Sequence, residues 1–70
     1  MCLAIPGKIL SIEPDGLAPM AEVDFLGVRK KICLAYTPEA VVGEYVIVHV
    51  GFAISVLNEE KAQATLELFS

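Results

Sequence analysis

Hydrophobic and polar residues alternate along much of the chain, as they do in half-buried β-strands. In the clearest case Ala21, Val23 and Phe25 fall on one face of a strand, with acidic residues on the other. A later stretch, 43–50, is the richest in β-branched side chains, which favour strands. On this basis the sequence predicts five short strands, at 8–12, 20–25, 28–34, 43–50 and 52–57.

The fourth predicted strand has an apolar residue at nearly every position. Its three valines, Val46, Val48 and Val50, occupy one face and are expected to point into the core. His49 then lies on the opposite face, beside Tyr45. We expect that second face either to bind a partner or to be covered by the C-terminal helix.

Turn sequences separate the strands. Pro14 and Gly16 suit a type I turn, and the dipeptide 26–27 suits a two-residue hairpin connection. Thr37, followed by a proline and an acid, is typical of a helix start. Gly43 follows too soon for more than one helical turn. The strands are therefore expected to be mostly antiparallel.

The end of the chain has helical periodicity. Asn58 is a candidate N-cap, and the two glutamates after it complement the positive end of a helix dipole. Ala62, Leu66 and Phe69 recur at the i, i+4 and i+7 positions of one helix face. The predicted fold is mainly β, a small OB-like five-stranded β-barrel at about 3–57 with a C-terminal α-helix at about 58–69, in a single domain spanning 1–70.

Charge and hydropathy narrow the possible functions. The net charge is −4 and the isoelectric point about 4.7, whereas nucleic-acid binding normally needs a basic face. We therefore expect no nucleic-acid partner. Hydrophobic residues make up 56% of the chain, which is high for so small a protein. The excess predicts an apolar surface that binds a protein partner.

No segment of the sequence suits a membrane or a secretory signal. The longest apolar run, 45–57, is interrupted by His49 and Gly51 and is shorter than the roughly 20 residues of a membrane helix. The N-terminus lacks a basic region followed by an apolar run. A cytoplasmic protein without membrane association is expected, in which Cys2 and Cys33 are free thiols.

Cys2 is the leading candidate for chemistry. A thiol at the second position is an unusual core residue, because chain ends fray unless they are tied down. Pro6 favours an extended conformation at the residue before it, and Gly7 permits a turn or a close backbone approach. Thiolate is a soft metal ligand and also a nucleophile. An accidental cysteine at a free end is the simpler alternative.

His49 is the second candidate, since a neutral imidazole binds iron or accepts a proton. The competing interpretation is a histidine that only decorates a strand. Cys33 lies between two aliphatic residues of a strand, so we interpret it as a small packing residue.

Two other classes of function stay open on the residues alone. A thiol enzyme would use Cys2 as nucleophile and His49 as base. An OB-type barrel could instead bind single-stranded nucleic acid, against its acidic charge. The sequence has no glycine-rich phosphate loop and no Ser-His-Asp arrangement, and the chain is too small for an enclosed substrate pocket. We therefore expect a protein that is not an enzyme.

Two motifs carry a resemblance to a known family. Met-Cys-Leu-Ala-Ile-Pro-Gly-Lys-Ile at 1–9 closely resembles the start of the HypC/HupF hydrogenase maturation chaperones. The segment 42–59, with Val-His-Val-Gly-Phe-Ala at its centre, is similar to the second signature of that family. The order of the motifs agrees, and the likeness extends over nearly the whole chain.

The resemblance implies a cytosolic chaperone for nickel-iron hydrogenases. Such a protein binds the iron-sulfur scaffold protein HypD and then the precursor of the hydrogenase large subunit. It helps to deliver iron that carries cyanide and carbon monoxide ligands and is bound only transiently. A monomer that forms heterodimers is expected.

The family pattern also implies site residues. Its essential cysteine corresponds to Cys2, and the histidine of its second signature corresponds to His49, so these two are the expected iron ligands. The expected partner-binding residues surround them in the two motifs: Cys2, Leu3, Ala4, Ile5, Pro6, Gly7, His49, Gly51, Phe52 and Ala53.

Overall fold

The computed structural model describes residues 5–68. Within that range the chain forms five strands and one helix, as the hydrophobic pattern predicts. The predicted barrel start at residue 3 and helix end at residue 69 lie outside the described residues. The elements are β1 (Gly7–Glu13), β2 (Met20–Phe25), β3 (Val28–Cys33), β4 (Tyr45–His49), β5 (Phe52–Leu57) and α1 (Glu59–Glu67).

The strands close into a barrel in the order β1-β2-β3-β5-β4. All neighbours are antiparallel except β3 and β5, which are parallel. The seam between β1 and β4 begins where Gly7 lies opposite Val46. It continues through Ile9, whose backbone bonds Glu44 and Gly43 at 2.9 Å each. The predicted small OB-like barrel with a C-terminal helix is confirmed.

The core lies inside the barrel and is small. Ile9, Val23 and Val46 have no exposed surface, and Leu34 has almost none. Alternation in β2 is confirmed, because Ala21 and Val23 are buried while Glu22 and Asp24, which follow them, are partly exposed. Such a core depends on close packing, since each missing methyl group would leave a void that the barrel cannot fill.

The sequence predicts that the valines of β4 point into the core. This prediction is confirmed for Val46 and is wrong for Val50. Val50 is 79% exposed, and its φ of +53° places it in a turn after the end of β4. The strand stops at His49 because the chain reverses there to pair with β5. Alternation within β4 gives no sign of where that reversal falls.

The helix start predicted at Thr37 is also wrong. The Ala40 N–H donates to the Thr37 carbonyl at 3.0 Å, which closes a turn and not an α-helix. The Thr37 side chain is 2% exposed, and its Oγ1 has no hydrogen-bond partner in the described structure. The segment turns repeatedly because it must bring Gly43 back to the β1 seam.

Helix α1 forms as predicted. Asn58 caps it by accepting the Lys61 N–H on Oδ1 at 2.8 Å, and Ala62 is fully buried. Gln63 Nε2 donates to the Tyr45 hydroxyl at 3.0 Å, so the helix covers the Tyr45 end of the outer β4 face. Phe69, the last residue of the predicted helix face, lies outside the described residues. No helix within 5–68 is long and apolar enough to cross a membrane.

Gly7 is a position where only glycine fits. A Cβ placed there would lie 2.5 Å from Phe25 Cε1 and would also overlap Val23 Cγ1. The sequence suggested a turn or a close backbone approach at Gly7. The structure gives a different reason, because side chains of β2 pack directly over the glycine.

We expect Gly7→Ala to lower the free energy of unfolding by about 1–3 kcal/mol, the usual effect of overpacking a filled core. In a domain of this size each kcal/mol lowers Tm by about 4–8 °C. Thermal unfolding followed by circular dichroism checks the stability. Methyl and aromatic NMR shifts of Val23 and Phe25 check that the strain arises where the clash lies.

Gly16→Ala is the matched control. A Cβ on Gly16 meets nothing within 4 Å, but the residue has a φ of +96°. That substitution should lower stability by about 1–2 kcal/mol through the left-handed backbone alone, without moving the signals of Val23 and Phe25. Wild-type stability and unmoved signals in Gly7→Ala would contradict the packing argument.

Candidate functional site

A groove of about 510 Å³ opens between β3 and the turn that joins β4 to β5. Its walls are mainly apolar, with two lysines at the β3 side. Ile5, the first described residue, also lines it. The complete lining is Ile5, Phe25, Val28, Lys30, Lys31, Ile32, Val48 and Gly51.

The groove exists because β3 and β5 meet at one position. Cys33 lies opposite Phe52, and the Cys33 N–H donates to the Gly51 carbonyl at 2.9 Å. Before Cys33, β3 has no strand neighbour on that side within residues 5–68. The barrel is thus closed at the end of β3 and splayed along the rest of it.

The tip of the β4–β5 hairpin forms one rim of the groove. Val50 and Gly51 join the strands, with φ angles of +53° and +79°. Positive φ at both central residues is what a type I′ hairpin turn requires, and asparagine-glycine is the favoured pair. A β-branched residue in this conformation is strained. Val50 is also exposed, so burial of its side chain does not offset the strain.

An aromatic pair lies next to the tip. The Tyr36 and Phe52 rings are 5.3 Å apart between centroids and tilted by 38°. Phe52 keeps 38% of its surface exposed even with Tyr36 beside it. Together with Val50 these rings give the tip an apolar surface of the kind that binds proteins.

His49 ends β4 and is exposed. It is opposite Phe52 in the hairpin register. Among the described residues, no hydrogen bond or ion pair involves its ring. The exposed imidazole therefore makes no polar contact with the described residues and is accessible to a partner.

Cys2, Leu3 and Ala4 lie outside the described residues, so the predicted pairing of Cys2 with His49 is not tested. Covalent geometry still limits the distance of the thiol from the groove. Two residues separate Cys2 from Ile5, so the Cα atoms of Cys2 and Ile5 are at most about 11 Å apart. Within residues 5–68, no group of three or more potential ligand side chains comes together.

The other predicted partner-binding residues divide into two sets. Ile5, Gly51 and Phe52 lie on or beside the groove. Pro6, Gly7 and Ala53 are buried, so in this structure they have little surface to offer a partner. We therefore assign these three to packing: they hold the neighbouring exposed residues in place.

Several groove residues are not evident from the sequence motifs. Phe25 and Val48 belong to faces that the sequence predicts to point into the core, and they pack against the core but also line the groove. The one available signal is the Arg29-Lys30-Lys31 run, which is unusual in an acidic chain. Lys30 faces the groove side of β3, where it interrupts an otherwise apolar series.

Cys33 retains the packing role expected of it. It is a free, half-buried cysteine in β3, and its backbone joins β3 to the hairpin tip. Substitution of Cys33 is a suitable control for substitution of Cys2, because Cys33 is the only other cysteine in the sequence.

Comparison with known proteins gives consistent matches. The HupF/HypC family model matches residues 1–69. Hydrogenase maturation factor HypC of Synechocystis sp. is 57% identical over 68 residues, covering 94% of this chain and 90% of the relative. HypC of Cupriavidus necator is 50% identical over 70 residues, covering 100% of this chain and 74% of the relative.

A more distant relative supports the same assignment. Hydrogenase maturation factor HybG of Escherichia coli K12 is 35% identical over 71 residues, covering 96% of this chain and 85% of HybG. The family match spans both motifs, the strands between them and the helix. The chain therefore belongs to the HupF/HypC family.

Proposed function

We propose that this protein is a chaperone in the maturation of nickel-iron hydrogenases. The observation that carries the proposal is the family match over residues 1–69, with relatives named as hydrogenase maturation factors. The two motifs that first suggested the family are close in space, because Ile5 of the first and Gly51 of the second line one groove.

The proposed partners are a HypD-like iron-sulfur scaffold protein and the precursor of a hydrogenase large subunit. The protein would bind them in turn and help to deliver iron carrying cyanide and carbon monoxide. The groove and the apolar tip support this role, since both offer exposed apolar surface on a very small domain. In this proposed role the protein would act in the cytoplasm, as a monomer that forms heterodimers.

Cys2 and His49 are the proposed groups that hold the iron. A thiolate and an imidazole suit ferrous iron, and iron here is cargo that arrives with ligands of its own. His49 is accessible, and Cys2 is tied by a short segment to the same groove. The arm would bring the thiol to the iron while the barrel holds the histidine and the partner.

This proposal is preferred to the thiol-enzyme and nucleic-acid alternatives. The relatives are named maturation factors, a role that assists assembly of another protein. A nucleic-acid binder would need a basic groove, yet only two of the eight residues lining this one are cationic.

We expect Cys2→Ala to abolish iron loading of the complex with a HypD-like scaffold protein. The reason is that the variant lacks the proposed thiolate ligand. The measurement is anaerobic co-purification with that scaffold protein, followed by iron analysis and infrared spectroscopy of the cyanide and carbonyl bands. Cys33→Ala is the matched control, because it removes the other thiol and should leave both readouts unchanged.

We expect His49→Gln to form the complex but to retain iron about 10–100-fold less well, as when a group supporting a metal is lost.

If the bands persist in the Cys2→Ala complex, the thiol is not an iron ligand in that complex. The barrel surface would then be the binding element, and Cys2 would act only in the later transfer. If no complex carries the bands, including the wild type, the iron-delivery proposal is wrong.

We further propose that Val50 is a partner contact. It has an unfavourable backbone conformation for valine and an exposed apolar side chain, and neither feature helps the isolated barrel to fold. Strain of this kind is often found at functional sites. A second turn in the same barrel has similar geometry, because Leu26 and Gly27 have φ angles of +52° and +96°.

We expect Val50→Asn to raise the free energy of unfolding by about 1 kcal/mol and to weaken binding to the scaffold protein. Asparagine accepts the left-handed conformation, and its polar side chain removes the apolar contact. Leu26→Asn is the matched control, which should gain similar stability and keep wild-type binding. Denaturant unfolding and calorimetric titration measure the two effects. Equal binding by both variants would remove Val50 from the interface.

A further inference from the structure

We propose that the open edge of β3 is a strand-addition site, which binds an extended segment of a protein partner with alternating apolar and acidic side chains. This inference deepens the proposed function, because it assigns one mode of partner binding to a defined edge of the barrel. Its test needs neither iron nor hydrogenase, so the two can fail separately.

Alternate backbone groups of β3 point away from β2. The Cys33 N–H donates to Gly51, so it points away from β2. Backbone groups alternate in direction along a strand, and the β2–β3 register runs without a bulge. The N–H and C=O groups of Arg29 and Lys31 therefore also point away from β2. Within residues 5–68 no strand pairs with β3 there.

The surface beside that edge is the mainly apolar groove. The side chains of Val28, Lys30 and Ile32 alternate with those of Arg29 and Lys31, and the groove adjoins the same edge. A strand added along the edge would place every second side chain over the groove. Those positions would meet Phe25, Val28, Ile32 and Val48, which favours apolar residues there.

The open edge of β3 carries a cluster of positive charge. Arg29, Lys30 and Lys31 are three of the five cationic residues in a chain of net charge −4. Arg29 and Lys31 bond Glu22 and Glu13 at 3.6 and 3.3 Å, but both pairs are exposed and thus weak.

Lys30 has no ion pair within the described residues. Its side chain lies on the groove face of β3. The remaining side chains of an added strand would lie on the opposite face, beside Arg29 and Lys31, so a segment with acidic residues at those positions is favoured.

A simpler explanation for lysines on a free edge is protection against aggregation. Protection accounts for the charge but not for the apolar groove along the same edge. Strand addition accounts for both, since main-chain bonds supply affinity and the groove supplies side-chain specificity. The two explanations differ in whether a suitable peptide binds.

The experiment is amide hydrogen exchange and NMR titration on the full chain. In the free protein, the amides of Arg29 and Lys31 should exchange much faster than those of Lys30 and Ile32, which face β2. The probe is an acetylated and amidated peptide of alternating glutamate and valine. On its addition, the Arg29 and Lys31 amides should become protected, with shifts concentrated at the groove.

Two peptide controls isolate the mechanism. One replaces every glutamate by lysine, and should not bind because it repels the cationic edge. The other control keeps all side chains and is made as two peptides, with N-methyl groups on every valine or on every glutamate. The peptide whose N–H groups facing β3 are methylated should fail, since it cannot form the main-chain ladder, whereas the peptide methylated on the outward-facing groups should bind. If both N-methylated peptides bind as well as the parent, strand addition is wrong.

A matched pair of variants tests the charge. Arg29→Gln should weaken peptide binding about two- to fivefold, as expected for one partly exposed ion pair. Lys8→Gln removes an exposed lysine of β1, outside the groove, and should leave binding unchanged.

Other results would overturn the proposal. Slow exchange of Arg29 and Lys31 in the monomeric free chain would mean that the edge is already covered within the chain. A dimer in sedimentation, with those amides protected, would make a second copy the occupant. Absence of peptide binding would leave the lysines as protection against aggregation.

Discussion

The hydrogen bond from the Cys33 N–H to the Gly51 carbonyl, at 2.9 Å, determines the layout of the whole site. It joins the end of β3 to the tip of the β4–β5 hairpin, at the one position where β3 and β5 pair. The bond closes the barrel, yet it leaves the preceding part of β3 splayed from the hairpin. The groove, the open edge and the exposed tip all follow from a closure this short.

A second constraint places the N-terminal motif at the same end of the barrel. Val23 and Phe25 pack so closely over Gly7 that no larger residue fits beneath them. Pro6 is buried just before it, which directs the chain out past the groove at Ile5. The glycine of this motif is thus explained by space and not by backbone conformation. The last residue of the motif that the structure describes before Pro6 thus lies in the wall of the groove.

Local features of the fold could be predicted from the sequence, and non-local ones could not. The β2 alternation and the Asn58 cap depend on neighbouring residues, so they read correctly. The prediction that Val50 belongs to a strand failed because valine has high strand propensity, while the turn is imposed by pairing with β5. The prediction of a helix start at Thr37 failed because this segment must return to the β1 seam, a requirement that outweighs the local helix-start signal.

The candidate site shows the same division. His49 could be singled out from residue type and motif, and the structure leaves it exposed as expected. The groove could not be anticipated, because it depends on where β3 stops pairing with β5. In the sequence Lys30 is one of three consecutive cations, whereas in the barrel it lies beside an apolar groove that no described residue fills.

In the proposed function, the weakness of this metal site is an advantage. A carrier must release its cargo, and a closed four-ligand site holds metal too firmly for transfer. One thiolate on a short arm and one accessible imidazole provide few bonds to break. Specificity must then come from protein contacts, which the groove, the strained tip and the β3 edge supply around the same point. Assigning partner recognition and iron binding to different residues would let a chain this small do both.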